Sequence, residues 1–125
     1  MSLTTVLTSL RTTLKTLSVG VHLRDELPVN ASNEYEFPTG DRFIILDLVA
    51  TEAVPGLSGS IYNHIDVQVG IWSRVGITNA LALAESARAA IEDDWSITGA
   101  IALPRDGEYR GVLFRVTQEA AFDTI

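Results

Sequence analysis

The sequence contains no cysteine and a single lysine, Lys15. Without thiols there can be no disulfide, thiolate metal site, iron–sulfur cluster or cysteine nucleophile, while the redox compartment is left open. Nine basic residues face sixteen acidic ones, a formal net charge of −7 at pH 7. The chain as a whole therefore lacks the clustered cations with which proteins grip nucleic acid. Long hydrophobic runs are missing too. The longest strongly apolar stretch, residues 43–50, is interrupted by Asp47 and falls far short of the ~20 residues that span a bilayer as a helix. The first residues lack the basic start and continuous apolar segment of a secretory signal. The expectation is a soluble, intracellular domain, in which the sequon Asn30-Ala31-Ser32 carries no meaning.

What is present is enough for one core. At 125 residues and 46% hydrophobic, the chain supports a single domain over 1–125 and leaves no room for a second of ordinary size. Leu3, Val6, Leu7, Leu10, Leu14 and Leu17 recur at three- and four-residue steps, which predicts a helix capped by Ser2 and stopped at Gly20. Val19, Val21 and Leu23 then alternate as a strand. Residues 28–41, with two prolines and few aliphatics, read as a long loop. An apolar run over 42–51 predicts a strand covered on both faces, and 52–60 a second loop. Over 61–72 one face is aliphatic and the other polar with aromatic ends. So long a strand is expected to overhang the core or carry a bulge near Gly70.

A second helix is expected from Thr78, its candidate N-cap, to about residue 94. Alanine, Leu81, Leu83 and Ile91 make it apolar nearly all round, so it is expected to need cover on two sides. Strands over 95–103 and 109–119, joined through Asp106-Gly107, complete the chain as a hairpin. The expected architecture is α+β, one mainly antiparallel β-sheet of about five strands with two main helices packed on it, in the order α-β-β-β-α-β-β.

Catalytic patterns are scarce. Lys15-Thr16 has no preceding glycine loop and lies on the leucine-striped helix, so it is no phosphate-binding loop. Gly56-Leu57-Ser58-Gly59 resembles a nucleophile elbow, but Ser60 stands where the second glycine belongs. His64 and Asp66, two apart on one strand face, form a candidate acid/base or metal pair with His22 or Asp25 as third member. The same spacing suits ordinary cross-strand pairing. Asp93 and Asp94 sit at a helix end whose dipole disfavours them. No spacing matches a zinc or calcium site, and no cofactor is implied. Arg105, Arg110 and Arg115 form the one basic group, diluted by Asp106 and Glu108. It suits subunit salt bridges or a solvated edge, and together with Leu81, Ala84 and Arg88 on the second helix it makes up the candidate subunit interface.

Two long loops, an overlong strand and a helix too apolar for one contact face together describe a subunit that completes itself in an oligomer. In element order and texture the chain resembles the tail terminator (tail completion, minor tail) proteins of long-tailed bacteriophages. The leucine-rich helix 3–17, the strand Val19-Gly20-Val21-His22-Leu23 and the apolar Phe43-Ile44-Ile45-Leu46 carry the likeness. So do the long strand 64–72 running into the alanine-rich helix and the closing strand 109–119. The likeness covers roughly residues 3–119 and includes no catalytic motif.

The resemblance implies a virion structural protein, not an enzyme, without a cofactor and without a membrane. It implies a ring, usually a hexamer, that caps the tail tube, ends its polymerisation and presents a surface to the head connector. Other tail or neck subunits, such as a tube or connector-type protein, fit the same texture. A small enzyme or ligand-binding domain using His22, His64 and Asp66 is the third reading. Six copies at −7 each would carry about −42, and a negative lumen would repel passing DNA. The candidate lumen carboxylates are Asp25, Glu26, Glu34, Glu36, Asp41 and Glu52, all on or beside the expected loops.

Overall fold

A computed structural model describes residues 3–55 and 61–120; side chains of 50–55, 61–64, 119 and 120 and of Leu3 are outside the description. Helix α1 (Leu3–Lys15) is followed by strand β1 (Gly20–Leu23) and a 3-10 turn over Arg24–Glu26. Strands β2 (Arg42–Pro55) and β3 (Ile61–Ser73) lead to helix α2 (Ile77–Ile91), and β4 (Ser96–Asp106) and β5 (Tyr109–Ala120) close the chain. The five strands form one sheet in the order β1-β2-β3-β5-β4. Only β1 and β2 run parallel; the other neighbours are antiparallel. The fold is the expected α+β arrangement, with two helices on one face of a mixed, mostly antiparallel sheet. Among the described residues no helix is long and apolar enough to cross a membrane.

The helix-side core follows from two periodicities meeting. Val6, Leu10 and Leu14 make one stripe of α1, and Ala80, Leu83, Ala84, Ala87 and Ile91 one stripe of α2. They lie on the alternate residues Ile44 and Leu46 of β2, Ile65, Val67, Val69 and Ile71 of β3, and Val112, Phe114 and Val116 of β5. Alanine on the inner stripe of α2 lets the helix axis approach the sheet closely. Its other side, with Leu81, Ala82, Glu85, Ser86, Arg88 and Ala89, is exposed. The expectation of two-sided burial is therefore corrected. The all-round apolar look comes from alanine, which presents too little apolar surface to require cover.

Several boundaries differ for local reasons. Helix α1 ends through Ser18, which adopts φ 61°, while Gly20 is already paired with Phe43 in β1. Helix α2 starts one residue before Thr78, and its N-cap is Gly76 at φ 149°, a conformation L side chains rarely adopt. Just before it, the fully buried Ser73 hydroxyl accepts from the Val75 N–H (3.1 Å) and donates to Asn79 Oδ1 (2.8 Å). Strand β2 runs on to Pro55, so residues 52–55 belong to a strand and not to the second loop. The rest of that loop, including the Gly56–Ser60 motif, lies outside the described residues, as does Ser2. No bulge occurs at Gly70. The register shifts instead between Leu48 and Ala50 in β2, and in β4 between Thr98 and Ala100 and again between Leu103 and Asp106. The β4–β5 hairpin turns at Gly107, whose φ of 58° suits the two-residue turn.

Candidate functional site

The face of the sheet away from the helices carries the features a partner would meet. Its register stacks side chains in rows. Phe43, Trp72, Gly111 and Leu103 form one row, Ile45, Gly70, Leu113 and Ile101 the next, and Asp47, Gln68, Arg115 and Thr98 a third. The face thus grades from aromatic to polar along the strands.

The expected loop 28–41 is an ordered strap over the aromatic end. Leu27 is buried against Phe43, Ile45 and Trp72, and Phe37 packs with them. The Phe37 ring centroid lies 4.9 Å from that of Trp72, 5.4 Å from that of Phe43 and 5.2 Å from that of Tyr109. The far end of the strap is held by Tyr109, whose hydroxyl donates to the Gly40 carbonyl at 2.9 Å, and by Arg74 Nε donating to Asp41 Oδ1 at 2.6 Å. The Asp41 carboxylate raises the Arg74 pKa, chiefly through that hydrogen bond.

Within the strap, residues 28–36 form a small hairpin, here called the finger. Val29 and Tyr35 make an antiparallel bridge. The Glu36 N–H donates to Pro28 O, and Asn30 Oδ1 accepts from the N–H groups of Ser32 and Glu34. The Arg24 guanidinium sits 5.7 Å from the Tyr35 ring centroid, and its Nε lies 3.2 Å from Asp47 Oδ2. These contacts root the finger beside β1. Val29 and Tyr35 nevertheless remain 51% and 46% exposed.

On the other half of the face, between β5 and β4, a shallow depression of about 310 Å³ is lined by Gln68, Thr98, Gly99, Ile101, Leu113, Phe114 and Arg115. Ile101 is 60% exposed. Both lateral edges of the sheet are open among the described residues. Strand β1 covers only Phe43–Leu46 of β2, leaving Leu48 and Val49 exposed beyond it. Among the described residues the outer edge of β4 has no strand partner, and residues 96–103 of this strand include no charge.

The residues singled out from sequence distribute unevenly. His22 and Asp66 share the open face but are separated by β2 and by four residues of rise, about 16 Å at usual spacings. They do not form one site; the His64 side chain is outside the description. Asp25 lies in the exposed 3-10 turn that follows β1. Burial lowers the His22 pKa below 6.5, Arg11 and Lys15 lower it further, and Glu26 opposes them. Among the described residues no three His, Asp or Glu side chains converge as a metal would need.

Of the lumen candidates, Asp25, Glu34 and Glu36 are exposed, Glu26 is paired with Arg11 (3.1 Å), and Asp41 is paired with Arg74. Glu52 lies in β2 and not on a loop, and its side chain is not described. Of the interface candidates, Leu81, Arg88, Arg105, Arg110 and Arg115 are exposed. Ala84 is not available to a partner, because it lies on the stripe of α2 laid on the sheet. The basic group is split as well. Arg110 falls on the helix side of β5 and Arg115 on the open side, and Arg105 Nε donates to its own turn at Gly107 O. Glu34 and Glu36 on the finger and Arg115 in the depression are among the candidates, but no local sequence pattern reports the hairpin or the Ile101–Leu113 depression as structures. The glycine at position 99 within a strand run was the available sign of a bulge there. Comparison with protein-family models and with curated proteins finds no match.

Proposed function

We propose that this chain is a ring-forming assembly subunit, completing its surface against identical copies. Within that class we read it as a tail terminator of a long-tailed bacteriophage, a non-enzymatic virion protein at the head-proximal end of the tail. Such a ring would cap the tube, stop its growth and offer a face to the neck. The observation that carries the reading is a sheet open at both lateral edges, β4 on one side and β2 beyond β1 on the other. An open edge offers unpaired backbone donors and acceptors to another chain. Two different open edges on one subunit favour head-to-tail contacts, which close into rings when the rotation allows. The acidic excess supports a lumen that lets DNA pass without binding it.

The test is light scattering after size exclusion at several chain concentrations, with electron microscopy of the eluted peak. The expected species is a discrete ring near six times the 13.5 kDa chain mass. Added to polymerising tail tubes, it should fix their length. Open-ended filaments would favour a tube subunit instead. A strict monomer that leaves tube growth unchanged would overturn the reading.

A further inference from the structure

We infer that the finger of one copy seats in the β4–β5 depression of the next copy. This rests on the reading of the chain as self-assembling. The finger leaves Val29 and Tyr35 about half exposed on a hydrogen-bonded turn, flanked by the exposed carboxylates Glu34 and Glu36. The depression offers the complement. Ile101 and Leu113 supply an apolar wall, and among the described residues Arg115 is the one charged side chain lining it.

The placement of the two features forces the contact to be between copies. The finger is rooted at β1 by Arg24 and Asp47, whereas the depression lies between β5 and β4. Three to four strand spacings separate them, about 14 to 19 Å across the same face. A finger anchored in this way cannot fold into its own depression. In a neighbour set side by side, it meets the β4 edge of the next sheet. The contact is heterologous, using a different surface from each partner, and so propagates in one direction. Apolar packing of Tyr35 supplies the contact area, and the glutamates opposite Arg115 set partner and register.

The experiment uses two full-length variants, Arg115→Glu and the double variant Glu34→Arg/Glu36→Arg. All three positions are exposed, and circular dichroism checks that folding is unchanged. Each variant alone places like charges across the contact, so self-association should weaken at least tenfold, with a milder loss for wild type at raised salt. An equimolar mixture restores opposite charges at every contact of an alternating ring, and assembly should return.

A second measurement exploits the cysteine-free background. A mixture of Glu34→Cys and Thr98→Cys chains should give oxidised covalent dimers, whereas either alone should not. Wild-type assembly that all these variants leave untouched, with no cross-link, would overturn this contact and leave the ring reading standing. A wild-type chain that stays monomeric, with or without tubes, would overturn both.

Discussion

Replacing Gly111 with alanine tests the packing of the open face most directly. Gly111 pairs with Trp72 across the β3–β5 ladder, and a Cβ at Gly111 would stand 2.7 Å from both Cε3 and Cζ3 of the indole. The ring has little room to retreat. Phe37 packs against it, and a Cβ on the neighbouring Gly70 would already come within 3.3 Å of its Nε1. Overpacking of this kind costs about 1–3 kcal/mol. Relief of the glycine's chain entropy returns about 0.5–1 kcal/mol in a strand. The net expectation is a loss centred on about 1 kcal/mol and at most about 2.5 kcal/mol, with each kcal/mol lowering Tm by roughly 4 °C at this chain length. The assay is urea and thermal unfolding followed by circular dichroism at one fixed chain concentration, since any self-association would make apparent stability concentration-dependent. The same substitution in a Trp72→Leu background should lose its penalty and become neutral or mildly stabilising. Gly111→Ala as stable as wild type, or equally harmful without the indole, would refute the argument.

Two other outcomes follow from the same face. Phe37→Ala should release the strap, costing about 2 kcal/mol for a half-buried aromatic, and expose Glu34 and Glu36 to a glutamate-specific protease. Unchanged cleavage kinetics would show that Phe37 does not anchor it. Because His22 has a folded-state pKa below 6.5, the unfolded chain takes up the proton first. Its stability contribution is complete above pH 6.5, falls as the pH drops through 6.5 and levels off below the folded pKa. His22→Gln should remove that part of the acid sensitivity, and a wild-type-minus-variant difference that stays flat from pH 7.5 to 5 would contradict the environment assigned to the ring.

Much of the fold was legible because its signals are periodic. The leucine stripe of α1, the two-residue alternation of β3 and the Asp106-Gly107 turn each encode an element within a few residues. The strap was not legible as structure. Its order comes from Phe37 meeting Phe43, Trp72 and Tyr109, which are contributed by three other segments, and no local pattern reports such a meeting. The glycines at 70 and 111 were the sequence trace of it, since a strand glycine often marks a close approach. At Gly70 the bulge expected as the alternative to an overhanging strand does not form. The irregularities fall where register must change, beside Val49, at Gly99 and between Leu103 and Asp106, and that depends on both strands of a pair. His22 and Asp66 looked like partners because alternation put them on one face. Alternation says nothing about the strand that lies between them.

The chain has two tryptophans, and the sheet keeps them apart. Trp95 is buried with the helices, whereas Trp72 is buried under the strap. Each therefore reports optically on one side of the same sheet. Single-tryptophan chains would time the formation of the two hydrophobic layers separately during refolding. The emission of Trp72 alone would also report on the strap, at the base of the finger, and so on the proposed contact between copies.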